Sequence, residues 1–170
     1  MSYNVDGGAY SSDIVVTGTS AVITGLANGT NVRVRVTAVN AAGAGTAATA
    51  GPVVPRGLAT APQAFAATIG NTTVSLSWNA PSSNGGSAIV EYRIERYVSG
   101  AWSEIARSNS SPYSVTGLTN GTSYQFRVSA VTSAGIGAAT ESVLATPATT
   151  PSAPTALTTT PGDKFVTLGW

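Results

Sequence analysis

The stretch GLANGTNVRVRVTAVN at residues 25–40 returns as GLTNGTSYQFRVSAVT at residues 117–132. The offset from Gly25 to Gly117 is 92 residues, and it holds without gaps well beyond the two stretches. Asn28, Gly29 and Thr30 match Asn120, Gly121 and Thr122. Gly43 and Gly45 match Gly135 and Gly137, and Pro55 and Pro62 match Pro147 and Pro154. Val74, Leu76 and Trp78 match Val166, Leu168 and Trp170, and Tyr10 falls on Trp102. A repeat this long confines the chain to units strung one after another.

Inside the unit the hydrophobic period is two. Tyr124, Phe126, Val128 and Ala130 alternate with Gln125, Arg127 and Ser129. Val32, Val34, Val36 and Ala38 do the same, as do Val74, Leu76 and Trp78. Alternation rich in β-branched and aromatic residues marks strands with one buried face. Turn signals (NAPSSNGG, VSGA, TNGT, SAGIG) separate the strands. No stretch has helical periodicity with caps. The pattern predicts an all-β protein of tandem antiparallel β-sandwiches.

The residues also carry a family signature. A Pro-led strand A, QAFAATIG, precedes strand B, TVSLSW, which ends on Trp78. The Pro- and Gly-containing B–C loop NAPSSNGG leads to strand C with Tyr92 and Ile94. A Leu-x-Asn-Gly-Thr-x-Tyr corner runs from Leu118 to Tyr124, and Gly135 and Gly137 mark the F–G loop. Together these resemble a fibronectin type III domain, in the style of bacterial extracellular modules. The resemblance places Trp78, Tyr92, Leu118, Tyr124 and Phe126 in a structural core, with Leu26 and Val34 as counterparts in the first unit. It implies that the Tyr124 hydroxyl bonds upstream backbone at the E–F corner. Val32 stands where Tyr124 stands, so the first unit is expected to be less stable.

The repeat predicts unequal pieces. Residues 1–54 read as a half unit with strands C to G, and Met1 and Ser2 align with Arg93 and Ile94. Residues 55–61 are a linker, 62–147 a complete domain, 148–153 a second linker, and 154–170 strands A and B of a further unit. The chain is thus cut mid-domain at both ends. Against two full repeats, it lacks the counterpart of Asn79 to Tyr92. A lone strand pair is marginal in water, and a half sandwich leaves an unpaired edge. The pieces are complementary, because Leu157, Phe165, Val166, Leu168 and Trp170 offer the side chains the half unit lacks. At ~1.5–3 kcal/mol per buried large apolar side chain, their burial amounts to roughly 10 kcal/mol before ordering costs. The short, Pro-containing linkers disfavour folding back within one chain. Completing the half unit of the next chain is the open, heterologous alternative, and it builds a linear fibre by strand addition. A window on a long tandem array predicts the same string of sandwiches.

Composition narrows the chemistry. Charged residues are 9% of the chain, the net charge is +1, and there is no Cys and no His. No basic surface gathers nucleic acid, and no apolar run is long enough to insert in a membrane. Thiolate metal sites and His-based nucleophile activation are excluded. Asp6 and Asp13 are too few for a calcium cage and read as turn and surface residues. Glu91 and Glu95 lie among arginines and read as cross-strand ion pairs rather than a glycosidase pair. No catalytic, metal or cofactor site is expected. The sequons at Asn28 and Asn120 coincide with Asn-Gly turns, and further sequons stand at Asn71 and Asn109. The F–G loops NAAGAGT and TSAGIGA lack the Arg-Gly-Asp by which some animal members bind integrins. Trp102 is the one aromatic residue read as a candidate ligand contact.

The function expected is structural: a stalk, spacer or filament module at or outside the cell surface, with itself as partner, head to tail or in a long array. No secretion signal is recognisable in MSYNVDGGAY. The alternatives are an accessory module binding polysaccharide or a cell surface, and a decoration domain of a phage tail or other virion.

Overall fold

The structure is a computed structural model that describes residues 1–170. It is all-β and antiparallel throughout, with no helix. The first part holds β1 (Ser2–Val5), β2 (Val32–Val36), β3 (Val39–Asn40), β4 (Gly43–Ala44) and β5 (Ala48–Val53). The middle part holds β6 (Gln63–Gly70), β7 (Thr73–Asn79), β8 (Ile89–Val98), β9 (Ala101–Ser108), β10 (Tyr113–Val115), β11 (Tyr124–Thr132), β12 (Gly135–Ala139) and β13 (Val143–Ala145). A final hairpin is β14 (Thr158–Pro161) and β15 (Val166–Gly169).

The middle part is a closed sandwich. One sheet has the order β10-β7-β6; the other has the order β12-β11-β8-β9, with β13 also paired to β11. Alternation in β7 and β11 sends Val74, Leu76, Trp78, Phe126 and Val128 into the space between the sheets. Ile94 and Leu118 complete that core, and Trp78 packs on Tyr92 with ring centroids 5.3 Å apart. The N–H of Thr119 donates to the Tyr124 hydroxyl oxygen at 3.0 Å, pinning the corner that precedes β11. Asn120 ties the same corner to the β6–β7 turn: its Oδ1 accepts from the Thr72 N–H at 2.8 Å, and its Nδ2 donates to Asn71 Oδ1 at 2.7 Å.

The first part departs from the expected strands C to G. It forms the sheet β1-β2-β5 and the small hairpin β3-β4, while residues 9–31 form no strand. For residues 21–23, the counterpart of β10, the reason lies in pairing; Ser11 and Ile14, by contrast, do bond the backbone of Tyr3 and Met1 without forming a strand. In the complete sandwich β10 is held by β7, and residues 1–54 contain no counterpart of β7. Leu26 and Val34, expected in a core, are consequently only half-buried, and Val36 is 48% exposed where its counterpart Val128 is fully buried.

The gapless register also needs correction at β1. Ser2 lies opposite Arg35, whereas Glu95 lies opposite Arg127, the counterpart of Arg35. Ser2 therefore occupies the Glu95 position, not that of Ile94. The tight turn Asp6–Gly7 takes left-handed φ values of 49° and 77°, like Ser99–Gly100 at 49° and 89°. Asp-Gly favours such a turn, and its place one residue early in the repeat shifts the strand that feeds it. Asp6 also caps the start of β2, its Oδ1 accepting from the Asn31 N–H at 2.8 Å.

Candidate functional site

The first two parts meet through main chain. The N–H of Gly57 donates to the Gly85 carbonyl at 2.8 Å, and the N–H of Gly29 donates to the Pro55 carbonyl at 3.0 Å. The N–H of Thr60 donates to the Ser83 carbonyl at 2.9 Å, and Ser83 N–H returns to Thr60 Oγ1 at 3.1 Å. Arg56 reaches across to Ser133 Oγ at 3.2 Å. The loop between β7 and β8 thus lies on both the linker and the Asn28–Gly29 turn. Glycine makes this approach possible. A Cβ on Gly85 falls 2.2 Å from the Gly57 carbonyl oxygen, and one on Gly86 falls 2.3 Å from the Gly29 nitrogen. Both glycines also hold left-handed φ, 67° and 80°. Beside the joint lies an open polar cleft of about 500 Å³, lined by Asn28, Thr30, Ser83, Asn84 and Ser87.

The joint was not visible to sequence reasoning, which read NAPSSNGG as a turn. The usable signal was the adjacent pair Gly85–Gly86. One glycine satisfies a tight turn, and a second in a loop facing a linker marks a close approach of backbones.

The residues expected to carry assembly stand in the open. Val166, Leu168 and Trp170 are 60%, 54% and 79% exposed, while their counterparts Val74, Leu76 and Trp78 are 0%, 0% and 5% exposed. Leu157 and Phe165 are exposed as well. The hairpin nevertheless keeps the backbone form of the complete unit. Ala156 and Lys164 take φ values of 56° and 64°, against 50° and 55° at Ala64 and Thr72.

On the outer face of the five-stranded sheet, Trp102 is half-buried. The Arg127 guanidinium lies 4.3 Å from the centre of its ring, and Tyr97 packs edge-on at 5.3 Å. Arg35 covers Tyr10 in the same way at 4.5 Å. Beside Trp102 runs a ladder of ion pairs. Glu95, only 3% exposed, holds Arg93 at 3.0 Å and Arg127 at 2.8 Å. Glu104 holds Arg93 at 2.7 Å and Arg107 at 2.8 Å, and Arg107 also pairs with Glu91. The hydrogen bond from Arg107 holds the Glu104 carboxyl below its ordinary range. A general acid needs the opposite shift, so this ladder suits sheet cohesion rather than proton transfer. No group of three or more His, Cys, Asp or Glu side chains is placed to hold a metal ion.

The family model of the fibronectin type III domain matches residues 60–146, just over half the chain. The chain belongs to the fibronectin type III family. Among curated relatives, it is 37% identical over 103 residues to exoglucanase B of Cellulomonas fimi, covering 61% of this chain and 8% of that protein. It is 35% identical over 77 residues to the titin homolog of Caenorhabditis elegans, covering 44% of this chain and a share of that protein that rounds to 0%. The chain therefore spans a small fraction of either relative. Domains A168–A170 of titin superpose with a TM-score of 0.53 at 23% identity, over 71% of this chain and 40% of theirs. That likeness carries the fold alone. In fibronectin type III terms, β6 to β13 form the complete domain.

Proposed function

We propose that this chain is a non-catalytic structural module: a stiff spacer that holds fibronectin type III units in line at or outside a cell surface. The observation that carries the reading is the glycine joint. Backbone hydrogen bonds on both sides of Gly57, with no side chain between the surfaces at Gly85 and Gly86, leave little room for one unit to swing on the other. A flexible tether has no use for such a contact. The titin homolog and exoglucanase B are long proteins that contain stretches like this one. That is the setting in which a spacer acts.

The finer reading is that residues 154–170 complete the half unit 1–54 of a next copy, head to tail, giving a linear filament. The exposed β14–β15 hairpin, with the backbone form of a buried one, supports it. Light scattering and negative-stain microscopy over a range of concentrations test it. Linear polymers that lengthen with concentration, and that vanish on deletion of 154–170 or with Trp170→Asp, are the expected result. A concentration-independent monomer refutes the filament and leaves the spacer.

A second reading is an accessory polysaccharide-binding module. It is favoured by the likeness to a protein named as an exoglucanase and by the partly open Trp102. Retention on insoluble glucan that is lost with Trp102→Ala supports it, and passage straight through the glucan rejects it.

A further inference from the structure

We propose that the outer face of the sheet β1-β2-β5 binds the carboxylates of an acidic polysaccharide through Arg33 and Arg35. The corresponding face of the complete domain is neutralised from within. There Glu95 holds Arg127 at 2.8 Å and Arg93 at 3.0 Å, Glu104 holds Arg93 and Arg107, and Arg107 also meets Glu91. Every guanidinium of that ladder has a carboxylate of its own chain.

The first unit keeps the central guanidinium and loses the carboxylates around it. Arg35 is the counterpart of Arg127, and it rests on Tyr10 as Arg127 rests on Trp102. Directly opposite Arg35 stands Ser2, in the Glu95 position. The Ser11 N–H donates to the Tyr3 carbonyl at 2.7 Å, which sets Ser12 across from Ser2 as Glu104 is across from Glu95. Arg33 adds a second cation where the complete domain has Gln125, and the residue opposite it is Asn4. Arg33 and Arg35 are exposed, and neither forms an ion pair. Asp6 is committed to the Asn31 N–H. Opposite residues of an antiparallel pair share a face, and Val32, Val34 and Val36 point to the other one. The site therefore does not depend on what covers the inner side of this sheet.

The chemistry of the face selects the ligand. A guanidinium grips a carboxylate through two parallel N–H donors. Arg33 and Arg35 stand two residues apart on one strand face, about 7 Å, so they suit carboxylates repeated along a polymer. The groups around them are neutral and hydrogen-bonding. Thr49 lies opposite Arg35 on β5, Ser12 is exposed, and Asn4 Oδ1 is buried without a partner. Hydroxyls and amides exchange hydrogen bonds with sugar hydroxyls, which donate as well as accept, whereas the side chains of an acidic peptide only accept. Arg35 already covers the Tyr10 ring, so recognition here runs through charge and hydrogen bonds rather than stacking. The site lies on a different unit from Trp102 and is independent of the filament.

Isothermal titration calorimetry of the full chain with polygalacturonate at low salt tests the site. Wild type should bind. Arg33→Gln with Arg35→Gln should weaken binding about tenfold or more, the effect of losing charge-assisted contacts. The complete domain carries Gln125 at the Arg33 position, so the fold accepts that side chain there. Ser2→Glu keeps both arginines and restores the carboxylate of the Glu95 position, so Arg35 pairs inside the sheet and binding should weaken about tenfold as well. Lys164→Gln lowers the net charge by the same amount as Ser2→Glu and should bind as wild type does. A wild type that does not bind, or full binding by either the double variant or Ser2→Glu, overturns the site. An equal loss with Lys164→Gln reduces the effect to net charge and overturns it as well. Tighter binding to polyglutamate than to polygalacturonate gives the face to an acidic peptide and overturns the saccharide. None of these outcomes touches the spacer reading, which stands or falls on the glycine joint.

Discussion

A Cβ on Gly86 would sit 2.3 Å from the backbone nitrogen of Gly29, across the boundary between the first unit and the complete domain. No rotamer avoids this clash, because it involves Cβ and main chain. Gly86→Ala should therefore part the joint rather than adjust it. Strain at φ 80° adds about 1–2 kcal/mol to the cost. The expected outcome in small-angle X-ray scattering is a shift from one arrangement of the units to a distribution of angles between them. Ala substituted at Gly100, which has open space around its Cβ position and a left-handed φ of 89°, controls for the backbone strain. Equal scattering from Gly86→Ala and wild type would remove the stiff joint as an explanation.

Tyr124→Phe isolates the corner hydrogen bond. The Thr119 N–H loses its acceptor at 3.0 Å, while the ring keeps its stacking on Phe126. Loss of one such bond costs about 0.5–1.5 kcal/mol. In a domain of this size, each kcal/mol corresponds to a fall in melting temperature of roughly 4–8 °C. Differential scanning calorimetry reads it directly, and an unchanged melting point would mean water replaces the phenol at no cost.

Two tryptophans at equivalent positions should behave in opposite ways. Trp78 is 5% exposed and packs on Tyr92, so Trp78→Ala should cost about 3–5 kcal/mol in urea unfolding of the complete domain. Its indole Nε1 is buried with no partner, so Trp78→Phe should cost clearly less. Trp170 is 79% exposed, and Trp170→Ala should leave the unfolding of dilute protein unchanged. A large effect of Trp170→Ala in dilute monomer would show that the hairpin already packs on its own chain.

The contrast between these tryptophans also marks what the sequence disclosed. Alternation in TVSLSW and SYQFRVSAV specified strands and a shared inner face, and β7 and β11 lie there with Val74 and Phe126 fully buried. Burial, however, is a property of two surfaces. VTLGW has the same alternation, yet Val166 and Trp170 remain in solvent because the opposing sheet is absent beside them. The shift of Ser2 onto the Glu95 position escaped for a related reason. Strand register is set by the turn, and Asp6–Gly7 competes with a repeat that counts residues without regard to φ. The joint at Gly85 and Gly86 was hidden because a glycine needed for a turn and one needed for close approach look alike in a sequence.

The ion-pair ladder predicts a pH dependence whose sign follows from Glu104. The hydrogen bond from Arg107, with Arg93 adding to it, holds the Glu104 carboxyl below its ordinary value in the folded state. A depressed folded-state pKa means that the unfolded chain binds the proton more readily. The stabilisation is therefore complete above the unfolded value of about 4.3, and it is lost as pH falls through the lower folded value. Glu104→Gln removes the titrating group. Urea midpoints measured from pH 6 to pH 2 should place wild type above the variant at pH 6 and bring the two together at the acidic end. Glu104 is partly exposed, so the gap should also narrow in high salt. A gap that stays constant across that range would mean that the Glu104 carboxylate contributes through packing rather than charge.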